Sequence, residues 1–251
     1  MKIGVSTLAL FPMPLDEIFE YLESIKVEYV EIMKEYPYHK IDPELVNSYN
    51  LKTSVHSPLS DINVASLNES VREASIKEIK ESIDIASQIN ASVVVAHPGH
   101  APFLSRSFRD EIMQICFKSL KECQEYAKDQ DIELCIENMP DMEGMICNDL
   151  EELYELTSKI GTPMTLDVGH AHNMGLSIDE IFKYDSIGHI HLSDNDGSFD
   201  NHDALGTKNI DFKSLFKGLK KIKFDGICVI EVKEKEEILE SFNYIKSILK
   251  N

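Results

Sequence analysis

The chain has 251 residues, 43% of them hydrophobic, and 44 acidic against 25 basic side chains give it a formal net charge of −19. That apolar share supports a sizeable core and lies outside the disordered range. The negative field opposes DNA, whose binding rests on Lys and Arg neutralising phosphates, so it disfavours a nucleic-acid partner without forbidding a local cationic site made by bound metal.

From the N-terminus, MKIGVSTLAL is too short in its apolar run for a signal peptide and reads as a strand. Strand-like runs then follow in order: Lys2–Ser6, Tyr29–Met33, Lys52–His56, Ser92–Ala96, Glu133–Glu137, Met164–Asp167, Ile187–His191 and Ile227–Glu231. Amphipathic stretches lie between them, clearest at Leu67–Ile89, Phe108–Lys128, Leu150–Ile160 and Glu236–Leu249. Strict alternation of strand and helix implies parallel strands joined by right-handed crossovers. Eight such units in this length fit a closed barrel better than an open doubly wound sheet, and no GxGxxG opens a helix after the first strand. With no linker or composition break, residues 1–251 are expected to form a single (β/α)8 TIM barrel of the α/β class. No run approaches the roughly 18 apolar residues of a membrane span. Five cysteines without CxxC spacing point to a reducing, cytoplasmic compartment, and Cys116 and Cys123, seven apart on an apparent helix, read as core.

The strand ends carry the chemistry. The third ends in VHSP with His56, the fourth in VVVAHPGH with His97, and the fifth in LCIENMP with Glu137. The sixth ends in TLDVGHAH with Asp167 and His170, the seventh in HIHLSD with His191, and the eighth in CVIEV with Glu231. In a barrel every C-terminal strand end faces one mouth, so these residues converge there, and FDNHD after the seventh strand adds Asp200 and His202. A lone strand-end His or Glu is more often a satisfied hydrogen-bonding group than a ligand. Six in succession are different, because crowded carboxylates repel one another until raised pKa values or cations resolve the strain. Imidazoles among carboxylates suit zinc or manganese, whereas calcium prefers oxygen alone.

Other polar residues are read more modestly. Glu31 is placed at the end of the second strand, where it would contact substrate or orient a ligand. His189 shares strand parity with His191 and is expected one step lower in the lumen as a hydrogen-bonded group. Asn138 directly follows Glu137 and Asp194 lies three residues past His191, and both are expected to support those side chains. His39, His100 and His172 read as loop histidines.

In this strand-end pattern the chain resembles the xylose isomerase-like superfamily, which includes sugar isomerases, sugar epimerases and endonuclease IV. The resemblance runs from about Lys52 to Val232. In its endonuclease IV branch nine ligands hold three zinc ions, and each has a match of the same type here. The resemblance would place His56, His97 and Glu137 on one metal. Glu137 would bridge to a second, shared with Asp167, His191 and Glu231, and a third would sit among His170, Asp200 and His202. The isomerase and epimerase branch typically uses Glu137, Asp167, His191 and Glu231 around one cation. The implied cofactors are two or three divalent ions.

The two branches ask for different chemistry. An isomerase or epimerase of a small sugar or sugar phosphate needs a metal to polarise a carbonyl and a base for a carbon-bound proton, and Glu137 and Glu231 would be the catalytic pair. A three-zinc phosphodiesterase acting on abasic DNA is the alternative, since metals can activate water and stabilise a leaving oxygen. That branch flips nucleotides with long inserted loops. Here the second-strand loop KEYPYHKIDP is short, its Tyr36 and Tyr38 fit a substrate lid or packing better than a DNA wedge, and SPLSDINVAS after His56 lacks the usual aromatic. A non-catalytic metal-dependent binding protein is a third reading, against which the paired Glu137 and Glu231 speak. Sugar phosphate isomerase relatives usually have a second glycine after Gly206, where this chain has Lys208, so the backbone contacts assumed there are open to question. Lys208 is expected to meet a substrate phosphate as a point charge. An oligomer is compatible with all of these readings.

Overall fold

A computed structural model of the chain describes residues 1–250. Eight strands, β1 (Lys2–Ser6), β2 (Tyr29–Met33), β3 (Lys52–His56), β4 (Val93–Ala96), β5 (Glu133–Glu137), β6 (Met164–Asp167), β7 (Ile187–Leu192) and β8 (Ile227–Ile230), close in sequence order into a barrel. Every neighbouring pair is parallel, and β1 returns to β8 with Lys2 opposite Ile227. The helices are α1 (Leu15–Ser24), α2 (Pro43–Asn47), α3 (Glu69–Gln88), α4 (Arg109–Asp129), α5 (Leu150–Ile160), α6 (Val168–Asn173), α7 (Ile178–Ile181), α8 (Phe212–Lys221) and α9 (Lys235–Leu249). The sequence expectation of a (β/α)8 barrel holds. Boundaries shift by a residue or two; β8 stops at Ile230, so Glu231 stands just beyond its strand.

Local chemistry explains where the helices start and stop. Asn68 and Asp149 accept amide hydrogens of α3 and α5 from positions just before them, satisfying donors that the first turn leaves free. At the end of α5, Gly161 takes φ of +80°, the left-handed conformation that closes a helix and that glycine adopts without strain.

Strand parity divides the interior. Val5, Val30, Ile32, Val55, Val94, Leu134, Ile136, Leu166, Ile190 and Ile230 face the helices and share one large apolar cluster with Ile79, Ile83, Ile112, Leu120, Phe212 and Phe216. Val93, Val95 and Cys135 form a second, small cluster, on the alternate parity that points into the lumen. The five cysteines are all free and buried, so Cys116 and Cys123 are core side chains as read. No helix among the described residues is long and apolar enough to cross a membrane.

One irregularity sets the site. Between β6 and β7 the register skips a residue: Met164 stands opposite Ile187 but Thr165 opposite His189, which bypasses Gly188. Without the skip Asp167 would lie beside Ile190, which faces the helices. With it Asp167 lies beside His191, and both point into the lumen. A side chain at residue 188 would press Pro163, whose Cγ is 2.8 Å from where its Cβ would sit.

Candidate metal centre

At the mouth, Glu137 is the hub. Its Oε2 receives His56 Nε2 at 3.2 Å and His97 Nε2 at 3.1 Å, and its Oε1 receives His191 Nδ1 at 3.0 Å. The same His191 nitrogen lies 3.1 Å from Glu231 Oε2 and 3.9 Å from Asp167 Oδ2. Glu137, Asp167, His191 and Glu231, all buried, bring ligand atoms within 4.8 Å of one another. A second group, His170, Asp200 and His202, meets the same limit. Both Nε2 atoms lie on Asp200 Oδ2, at 3.1 and 3.0 Å. All nine residues singled out at the strand ends and in the following loop therefore come together at one end of the barrel.

The backbone prepares these rings to ligate. His56 Nδ1 donates to Ser57 O at 2.7 Å, His170 Nδ1 to Asn138 O at 2.7 Å, and His202 Nδ1 to Glu231 O at 2.9 Å. A carbonyl oxygen only accepts, so the proton of each neutral ring must sit on Nδ1, and Nε2 keeps its lone pair for the mouth. His202 takes φ of +49°, uncommon for a residue with a side chain, and the loop holds it there. His202 O accepts the Lys233 amide, and the loop around it is tied together by Asp194, whose buried carboxylate accepts the amides of Asn195, Gly206, Lys208 and Ile210.

Electrostatics show what the cluster needs. Burial alone would raise Glu137, but His191, with His56 and His97, holds it well below the ordinary carboxylate range. Glu231 is likewise lowered against its burial, chiefly by His191. Asp167 is pushed up to about 6, first by burial and then by Glu137 and Asp200. Burial would lower both rings of the second group, yet Asp167 and Asp200 raise His170 to about 10, and Asp200 and Glu231 raise His202 to about 9. Protons thus stand on these rings against a ring of carboxylates. Two buried oxygens, Asp167 Oδ2 and Asp200 Oδ1, still lack a hydrogen-bond partner, a costly arrangement unless something else engages them. Mixed imidazole and carboxylate donors, preset lone pairs and orphaned oxygens together fit a divalent cation such as zinc or manganese.

Other expectations need adjustment. Glu31 is not at the strand end: Met33 ends β2 and lies opposite His56, while Glu31 lies opposite Ser54, two residues deeper. It is fully buried, with Oε2 accepting from Ser54 Oγ at 2.8 Å and lying 2.8 Å from His189 Nε2, and Oε1 2.9 Å from His191 Nε2. Of the two roles read for Glu31, this depth speaks against the substrate contact and leaves the contact with the ring of His191. His189 lies buried in the lumen as expected, its Nε2 2.8 Å from Glu31 Oε2, but neither of its ring nitrogens completes a hydrogen bond. Asn138 supports Asp167 directly, donating to its carbonyl and accepting its amide; Asp194 instead shapes the loop. Lys208 sits on the rim, 43% exposed, its Nζ 3.6 Å from Asp203 Oδ2, and Lys233 engages the same carboxylate. Its amide donates to Asp194 Oδ2 at 2.9 Å. Tyr38 is buried and donates to Met13 O, whereas Tyr36 is exposed and stacked on His39. Ser54, Ser57 and Asp203 were missed by the sequence reading; Ser54 shares the parity of His56, which was the available signal.

Comparison with known proteins agrees with the geometry. Residues 14–248 match the family described as xylose isomerase-like TIM barrel. The solved structure of a D-tagatose 3-epimerase-like protein superposes with a TM-score of 0.93 at 32% identity, covering 100% of this chain and 97% of that one. Fructoselysine 3-epimerase of Escherichia coli O157:H7 is 22% identical, over 92% of this chain and 90% of its own length. A probable endonuclease 4 of Aquifex aeolicus is 27% identical, over 69% of this chain and 68% of its own.

Proposed function

This chain belongs to the xylose isomerase-like TIM barrel family, and from that premise we propose that it is a divalent-metal-dependent sugar or sugar-phosphate isomerase or epimerase. The observation that carries the reading is the buried set Glu137, Asp167, His191 and Glu231, with two carboxylates meeting one ring nitrogen from β5 and β8. These four residues would hold the cation, zinc or manganese. When bound, it supplies the positive charge that polarises a carbonyl and orders a neighbouring hydroxyl.

The protein's own groups do the rest. Glu137 and Glu231 come from well-separated strands of the ring, so they address a substrate lying in the mouth from different sides. One takes the proton from the carbon next to the carbonyl. In an epimerisation the other, having taken a proton from water, returns it to the opposite face of that carbon; in an isomerisation the proton goes to the former carbonyl carbon while the hydroxyl proton passes to the old carbonyl oxygen. His97, and His56 when its ring is protonated on both nitrogens, donate to Glu137 Oε2 and so fix the direction of its carboxylate. A phosphate on the substrate would be met by Lys208 in the β7–α8 loop, close to Lys233 beyond β8, the part of a barrel that often receives phosphates.

The test is proton exchange. With manganese or zinc added, ketoses and their phosphates incubated in deuterium oxide should gain deuterium beside the carbonyl, read by proton NMR. Glu137→Gln and Glu231→Gln should each slow this at least about 100-fold. Absence of exchange across the panel by metal-loaded protein would remove the reading.

One observation favours a second reading. A single-cation isomerase has no use for His170, Asp200 and His202, yet they are assembled as closely as the first group. An endonuclease IV-like phosphodiesterase would use all three groupings. Incision of an abasic-site duplex at rates typical of a repair enzyme would replace the first reading with this one.

A further inference from the structure

Beneath the mouth, Glu31, Ser54 and His189 are wholly buried in the lumen, with Ser6 opposite Glu31 and Thr165 opposite His189. A carboxylate placed there without purpose is costly, since taking it from water is repaid only by specific partners. Its partners here are specific. Ser54 Oγ, across β3, and His189 Nε2, across the lumen on β7, both lie 2.8 Å from Oε2. That leaves Oε1 for His191, whose Nε2 is 2.9 Å away. His191 thus faces the mouth carboxylates with Nδ1 and Glu31 with Nε2.

We propose that Glu31 is the positioning residue of this centre: held by the Ser54 hydroxyl, with His189 Nε2 beside it, it keeps the proton of His191 on Nε2 and so leaves Nδ1 free to ligate. A neutral imidazole has one proton for two nitrogens, and a ligand must keep it on the far side from the metal. Glu31 is the carboxylate beside that far nitrogen. The contact is close but skewed, for neither His191 Nε2 nor Glu31 Oε1 completes a hydrogen bond. The ring is drawn toward Glu137 and Glu231 at its other nitrogen. A cation taking the place of the Nδ1 proton frees the ring to turn and straighten the bond to Glu31, which ties cation affinity to this buried carboxylate. The proposal rests on a cation being held by Glu137, Asp167, His191 and Glu231, and not on the reaction that follows.

The experiment measures zinc affinity by competition with a chromophoric chelator, together with nitrogen-15 NMR of the histidine rings in zinc-loaded protein. In the wild type His191 should carry its proton on Nε2. Glu31→Gln should weaken zinc at this group by about 10–100-fold and alter or abolish the His191 Nε2 proton signal. Zinc held by His170, Asp200 and His202 should change less than about threefold. Glu31→Asp, which keeps the charge, should recover part of the loss. Unchanged affinity and an unchanged Nε2 signal in Glu31→Gln overturn the proposal, as does equal weakening of both groups, which marks a merely structural role. Wild-type protein that binds neither zinc nor manganese overturns both this and the proposed function. Should Glu31→Gln fail to fold, Ser54→Ala loosens the carboxylate without removing it. A several-fold loss of affinity is then expected, and none refutes the idea.

Discussion

Asp194→Asn isolates the role of one buried carboxylate in shaping the site. Asp194 is fully buried; its Oδ1 accepts from Asn195 N at 3.0 Å and Ile210 N at 3.2 Å, and its Oδ2 from Gly206 N at 3.0 Å and Lys208 N at 2.9 Å. Asparagine keeps the shape but turns one of those oxygens into a donor. In either orientation of the amide, two backbone amides then face an NH2 group instead of an acceptor. At about 1–3 kcal/mol for each buried donor left unpaired, the expected loss is about 2–6 kcal/mol, out of a typical total of about 5–15 kcal/mol. Relaxation has little room, because Gly206 holds φ of +81° with the Tyr244 ring 2.5 Å from where a Cβ would sit. Urea unfolding followed by circular dichroism measures the global cost, and hydrogen exchange at Gly206, Lys208 and Ile210 measures the local one. The loop carries Asp200 and His202, so cation binding at their group should weaken while that at Glu137, Asp167, His191 and Glu231 persists. A loss below about 1 kcal/mol with unchanged exchange at those three amides would refute the reasoning.

Three further outcomes are expected. With His170 raised to about 10 and His202 to about 9, both rings are protonated at pH 7.5 in metal-free protein, so a cation at their group must displace protons and its apparent affinity rises with pH toward that range. Calorimetry in buffers of different ionisation heat should show total proton release falling by about two in Asp200→Ala; an unchanged release contradicts this. Lys208→Ala should raise KM for a phosphorylated sugar and leave that for its neutral analogue nearly unchanged, since uniform binding alone is lost; an equal response of both substrates makes Lys208 a rim residue paired with Asp203. At physiological salt the chain, at −19 net charge, should show no tight binding to abasic-site duplex in a fluorescence anisotropy titration, and sub-micromolar affinity would contradict that expectation.

The alternation of strand and helix, and with it the barrel, was legible in the sequence because apolar period is a local property. So was most of the site: once eight parallel strands close, the last inward residue of each strand must reach the mouth, and His56, Glu137, Asp167 and His191 stand at such positions. What no local pattern carries is depth, which depends on how each strand is staggered against its neighbours. From sequence alone Glu31 is a mouth residue, but Met33 lies opposite His56, which puts Glu31 level with Ser54 and in contact with His191 from below. The skip at Gly188 is likewise a property of the pair β6 and β7, and it alone brings Asp167 beside His191 instead of Ile190. The loop after β7 followed the same rule. Its ligands Asp200 and His202 could be named from residue type, but their place is set by Asp194 reaching amides up to sixteen residues along the chain, a contact that exists only once the loop has folded back over the mouth.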